Sequence, residues 1–152
     1  MLDTNLKAQL AAYLERMTQP VELVAALDDT PASADLRALL KDVSDASSKV
    51  RVIETTGGNH RKPSFSVNRP GQTHGPRFAG LPVGHECTSL VLALLQVVGH
   101  PPKVGEAVLR QIRELQGDFE FEIYISLTCH NCPDVVQALN LMAIQNPRIR
   151  TT

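Results

Sequence analysis

The stretch SLTCHNCPDVVQALNLMA, Ser126 to Ala143, sets two cysteines two residues apart where an alternating segment gives way to a helix-like run. Upstream, Phe119, Phe121, Ile123, Ile125 and Leu127 alternate with Glu120, Glu122, Tyr124, Ser126 and Thr128. That period of two predicts a strand across residues 119–127. Downstream, Val135, Leu139 and Met142, with Val136 and Ala143 beside them, form a helical stripe. Cys129 and Cys132 therefore fall at a strand-to-helix junction, and three readings compete for them. They are a working dithiol, half of a metal site, or two buried thiols that happen to be close.

Thiol–disulfide exchange needs a thiolate, and a free cysteine at about pKa 8.5 is mostly protonated at neutral pH. A helix N-terminus corrects this, because its unpaired amides and the positive end of the dipole favour negative charge. The spacing predicts Cys129 in the first turn, and Pro133 fits there because a missing N–H loses nothing at that position. Cys132, one turn further in, is expected to be more buried. Cys129 then attacks and Cys132 resolves. The metal reading would recruit His85 and Cys87 to complete a Cys₂His or Cys₃His set. Zinc pairs usually sit on tight knuckles, whereas an apolar strand before the pair and Pro133 plus a helix after it suit redox chemistry better. His130 is either a stabiliser of the thiolate or a solvated turn residue.

Working outward, Leu2, Leu6, Leu10, Tyr13, Leu14 and Met17 mark one face of a helix that ends before Pro20. VELVAAL follows as a strand; Thr30 and Pro31 supply an N-cap and first-turn proline for a helix burying Leu36, Leu39, Leu40 and Val43. KVRVIE is the next strand, PSFSVN and PRFAG are two more, and Gly84 to Val98 reads as a buried helix. The order αβαβ then ββα is that of a thioredoxin-like fold. The pattern then restarts, with an amphipathic helix from Lys103 to Gln116 through Val104, Val108, Ile112 and Leu115, the strand, the Cys helix, and a final strand at RIRTT. Laying Leu127 on Leu27 lays Leu139 on Leu39, a repeat of roughly one hundred residues and so a duplicated domain rather than a solenoid. Asp29, Thr30, Pro31 and Ala32 stand where the second copy has Cys129, His130, Asn131 and Cys132. The fold class expected is α/β, tandem thioredoxin-like folds. The first, residues 1–101, is complete and lacks the dithiol. The second, residues 102–152, carries it and is cut short, so the segment around Cys129 is expected to be loosely held, to associate, or to need the residues that would complete the fold.

The chain has 152 residues and a formal net charge of −1 from interspersed acids and bases, which excludes a basic footprint for nucleic acid and a polybasic membrane anchor. Its longest apolar run, Leu90 to Val98, falls short of the ~20 residues needed to span a bilayer, and the start lacks a signal-peptide pattern. A cytoplasmic location is expected. Three cysteines, an odd number, make a secreted disulfide framework a poor reading.

SLTCHNCPDVVQALNLMA together with GDFEFE, RKPSF, GPRFAG and GHECTSLVLALL closely resembles the N-terminal domain of the F subunit of bacterial alkyl hydroperoxide reductase, over essentially the whole chain. The resemblance implies two tandem thioredoxin-like folds, the first without active cysteines. It implies a dithiol that takes electrons from a flavin domain and passes them to the disulfide of a peroxiredoxin partner. Carried over by position, Cys129 is the interchange thiol and Cys132 the resolving one. Glu86 matches a carboxylate near the dithiol that serves as acid or base; an acid favoured by a nearby helix N-terminus is the competing reading. Pro63 sits where such folds keep a cis proline, and Cys87 belongs to no motif of the family. Family members continue into FAD and NADH domains. Here no G-x-G-x-x-G occurs, so neither cofactor is expected to bind this segment, which is read as a fragment or a truncated product. Within redox the rival is a general glutaredoxin- or thioredoxin-like disulfide carrier, and outside it a non-catalytic docking module. A second copy of the chain is a further candidate partner.

Overall fold

The computed structural model describes residues 2–152. Helix α1, Thr4–Leu14, starts at Asp3, whose carboxylate accepts the Leu6 amide at 2.8 Å and so satisfies one of the open N–H groups of the first turn. Of its expected apolar face Leu10 and Leu14 are buried, as is Met17 beyond its end, whereas Leu6 and Tyr13 are exposed. Strand β1, Val21–Ala26, leads to α2, Pro31–Asp45, capped by the Thr30 hydroxyl with Pro31 in the first turn. Leu36, Leu39, Leu40 and Val43 are all buried, as their spacing requires. Strands β2, Val50–Thr55, β3, Ser64–Asn68, and β4, Arg77–Ala79, complete a mixed sheet in the order β2-β1-β3-β4. β2 runs parallel to β1, while β3 is antiparallel to both β1 and β4. Every residue of β3 is buried, and the Lys62–Pro63 bond that precedes it is cis.

Gly75, between β3 and β4, is the glycine the packing demands. A Cβ there would lie 1.8 Å from the Val67 carbonyl oxygen. After β4 a 3-10 turn, Gly84–Glu86, opens α3, Cys87–Val97, which packs on α1 and β3. The predicted helix from Gly84 is thus 3-10 for its first turn.

The second run consists of α4, Glu106–Glu114, β5, Phe119–Phe121, α5, Cys132–Gln145, and β6, Ile149–Thr151. β5 and β6 pair in parallel, as β1 and β2 do. Three expectations need correction. The strand predicted over residues 119–127 is laddered only from Phe119 to Phe121; the Ile123 amide donates to the Thr152 carbonyl at 2.8 Å, and residues 123–127 leave the sheet. Side-chain alternation marks a surface suited to pairing, but a strand also needs backbone partners, and β6 supplies them only from Ile149 to Thr151. On α4 the buried residue is Leu109 and Val108 is exposed, as are Val104 ahead of the helix and Leu115 at its end, because α4 packs mainly along α5. On α5 the buried face is Val136, Asn140, Leu141 and Ala143; Val135 is exposed, since the helix turns its Val136 side toward α3 and the 3-10 turn.

The two runs are packed together. α5 lies along α3, with Gln137 Nε2 donating to Ser89 Oγ at 3.2 Å. Arg61, in the loop after β2, donates to Glu122 at 2.9 Å and to the Tyr124 hydroxyl at 3.0 Å. No helix among the described residues is long and apolar enough to cross a membrane.

Candidate functional site

Cys129 and Cys132 are joined as a disulfide with Cα atoms 5.5 Å apart. Cys132, not Cys129, is the first residue of α5, and Pro133 follows it in the first turn, where its missing N–H costs no bond. Cys129 lies three residues ahead. Its amide donates to the Ser126 carbonyl at 3.0 Å, closing a turn rather than a helical bond, which is why it stays outside the first turn the spacing predicted. Both cysteines are half-buried, so the expected difference in their burial is not observed.

The 3-10 turn of the first run delivers two side chains to this region. His85 meets His130, the residue between Cys129 and Asn131, with ring centroids 4.7 Å apart and planes at 60°. Glu86 is 1% exposed, and neither of its carboxylate oxygens has a hydrogen-bond partner among the described residues. A buried acid left without donors is costly to the fold. Glu86 lines a pocket of about 340 Å³ together with Arg77, Leu81, Leu127, Val136 and Asn140. Val136 and Asn140 stand one and two turns along α5 from Cys132, on its side of the helix. Asn140 is also buried; its Oδ1 accepts the Thr151 hydroxyl at 3.3 Å while its Nδ2 is unpartnered among the described residues. Arg77 donates to Ser64 Oγ at 2.9 Å, and burial pushes its guanidinium pKa down.

Cys87 opens α3, yet burial pushes its thiol pKa up. The dipole would act in the opposite direction. Among the described residues no group of three or more His, Cys, Asp or Glu is arranged to hold a metal ion. The corresponding turn of the first run, between β1 and α2, holds Asp28, whose carboxylate accepts the Ser33 hydroxyl and the Thr30 hydroxyl and amide. These bonds, that from Ser33 foremost, hold its pKa down to about 2. Sequence reasoning missed Asn140 and the edge contact of His85 on His130. A polar residue inside the apolar stripe of α5 was the available signal for the first; the second had none, being a meeting of residues distant in sequence.

A mixed sheet of this order, with a Cys-x-x-Cys turn opening a helix, defines a thioredoxin-like disulfide fold. No protein-family model matches the chain. It is 59% identical over 152 residues to the F subunit of alkyl hydroperoxide reductase from Escherichia coli K12, covering all of this chain and 29% of that protein. It is 59% identical over 150 residues to the same component of Pseudomonas aeruginosa, again 29% of its length. Among solved structures, the NTD_N/C domain of alkylhydroperoxide reductase from Enterococcus faecalis superposes with a TM-score of 0.89 at 28% identity, over 99% of this chain and 78% of that one. A protein disulfide oxidoreductase from Aeropyrum pernix shares the fold, with a TM-score of 0.83 at 21% identity. In sequence and fold the chain matches the N-terminal region of the alkyl hydroperoxide reductase F subunit. It spans about three tenths of the length of the curated relatives it matches.

Proposed function

We propose that the chain is the dithiol relay segment of a flavoprotein of the same kind as the alkyl hydroperoxide reductase F subunit. It takes electrons from a flavin domain and passes them to the disulfide of a peroxiredoxin, so supporting peroxide removal in the cytoplasm. The observation that carries this reading is the Cys129–Cys132 disulfide immediately ahead of α5. Reduction adds two electrons and two protons to that bond. Cys129 then attacks the partner's disulfide as a thiolate, one partner sulfur leaves as a thiolate, and Cys132 displaces the second to close the intramolecular bond again. The buried Glu86 carboxyl exchanges the proton that these sulfur atoms lose and gain.

The β1–α2 turn carries Asp28, Asp29 and Thr30 where a dinucleotide-binding turn has glycines. These residues do not fit a flavin or nicotinamide, and the relay step is assigned to the chain's own sulfur atoms. The division of labour follows the internal repeat: residues 1–101 form the unit without the dithiol and residues 102–152 bring it.

The test combines the chain with the flavin-containing remainder of a relative, NADH and a peroxiredoxin, and follows NADH consumption on addition of peroxide. Turnover that needs the chain and is lost in Cys129→Ser and in Cys132→Ser supports the relay. Turnover that survives either substitution rejects it. Glu86→Gln should alter the pH dependence of exchange while leaving folding nearly intact, and an unchanged profile removes Glu86 from the mechanism.

A further inference from the structure

We propose that Asn140 is a positioning residue that holds the Glu86 carboxyl for proton exchange, acting through water in the pocket the two residues share. The inference rests on the dithiol reading above and on the part given there to Glu86. Among the described residues only three buried side-chain polar atoms lack a partner: both carboxyl oxygens of Glu86 and the Nδ2 of Asn140. They belong to side chains 1% and 3% exposed, one on the 3-10 turn of the first run and one on α5 of the second, and both line one pocket. The sole unmet donor therefore shares its space with the sole unmet acceptors.

The two side chains are not bonded to each other directly, and the pocket, about 340 Å³, has room for water. A buried water needs about two to four polar partners, which these atoms supply. Asn140 Oδ1 accepts the Thr151 hydroxyl at 3.3 Å, which fixes the amide and leaves Nδ2 as its open end. Nδ2 donates to the water oxygen, and the water donates to Glu86. A carboxyl oxygen accepts from water in either protonation state, so the bridge does not depend on the charge of Glu86. It satisfies one of about four lone-pair sites of a carboxylate, so burying the acid still costs stability. The titratable groups nearest Glu86 in the chain and on the helices packed against its turn are His85, Cys87 and the Cys129–Cys132 pair. Around the pocket stand Arg61, Arg77, Tyr124 and the chain end at Thr152. None of them donates to Glu86; Arg61 is bonded to Glu122 and Tyr124, and Arg77 to Ser64. That leaves the Asn140 amide to orient the carboxyl.

The experiment mixes the reduced whole chain with excess oxidised glutathione across a range of pH. Cys129 attacks one sulfur of the glutathione disulfide and releases the other as a thiol. Cys132 then attacks the Cys129 sulfur and releases the second glutathione thiol, so the two protons lost by the protein end on glutathione. Acid quench, alkylation and mass measurement of the peptide holding Cys129 and Cys132 give the rate without interference from Cys87. Asn140→Leu, similar in size and without a donor, should slow exchange about twofold to tenfold at neutral pH and move the pH profile in the same direction as Glu86→Gln. Asn140→Gln, which keeps the amide, should retain the parent profile. Adding Asn140→Leu to Glu86→Gln should slow exchange no further than Glu86→Gln alone. A profile that Glu86→Gln moves and Asn140→Leu does not, or additive slowing in the double variant, overturns the proposal. Should Asn140→Leu fail to fold, a high-resolution crystal structure of the parent decides: water linking Nδ2 to a Glu86 oxygen supports the bridge, and its absence overturns it. A profile that Glu86→Gln leaves unmoved overturns the part given to Glu86, and the inference with it.

Discussion

Phe119 pairs with Ile149 in a parallel ladder, the relationship that Val21 bears to Val50 in the first run. In each case a helix crosses between the two strands, α2 from Pro31 in the first and α5 from Cys132 in the second. The same crossover therefore begins at an aspartate held by Thr30 and Ser33 in one copy and at a disulfide in the other. The two copies differ in chemistry at one turn and share the scaffold around it.

The thiols should separate by reactivity. After reduction, Cys129 should be alkylated at pH 7 at least about tenfold faster than Cys87, whose half-buried thiol has its pKa raised by desolvation. Mass measurement of alkylated peptides over time checks this. Equal rates under native conditions would remove Cys129 from its role as attacker.

Glu86 should cost the fold stability. Its carboxylate is buried without donors among the described residues, so Glu86→Leu is expected to raise unfolding free energy by about 1–3 kcal/mol while slowing thiol exchange. Urea melts of both proteins read the first effect. A destabilised Glu86→Leu would mean that the acid is paired in solution.

Gly75→Ala should destabilise the chain by about 2 kcal/mol or more, because its Cβ would collide with backbone at Val67 rather than with a side chain able to move. A thermal melt within about 1 °C of the parent would contradict the packing described between β3 and β4.

Asp28 gives a pH signature. Its folded pKa, about 2, lies below the ordinary aspartate value of about 3.9. The stabilisation is therefore fully present above pH ~4 and is lost as pH falls toward 2, where the folded carboxylate protonates. The gap in melting temperature between the parent and Asp28→Ala should be flat above pH ~4 and shrink below it. A gap that widens on acidification would reverse the sign and refute the assignment.

Hydrogen exchange should divide the alternating segment. Amides of Val21 to Ala26, in a strand paired on both sides, should be protected far longer than those of Tyr124 to Leu127, which lie outside the β5–β6 ladder. Comparable protection would show that residues 124–127 are strand after all.

The sequence alone determined the order of elements, the duplication, the apolar faces of α2 and β1, and the Cys-x-x-Cys turn ahead of a helix. All of these are written in local spacing, because period, caps and prolines act over a few residues. Only the tertiary structure decided where β5 stops, since alternation continues to Leu127 but its backbone partners come from β6 thirty residues away. The same is true of Val135, which fits the stripe of α5 and yet faces solvent, and of Leu109, which takes the buried place on α4. Packing between helices chooses which side of an amphipathic surface is covered. The burial of Glu86 and the meeting of His85 with His130 depend on the 3-10 turn of one run lying against the Cys helix of the other. Such contacts join residues some forty-five positions apart and leave no periodic trace, so they appear only once the two runs are folded together.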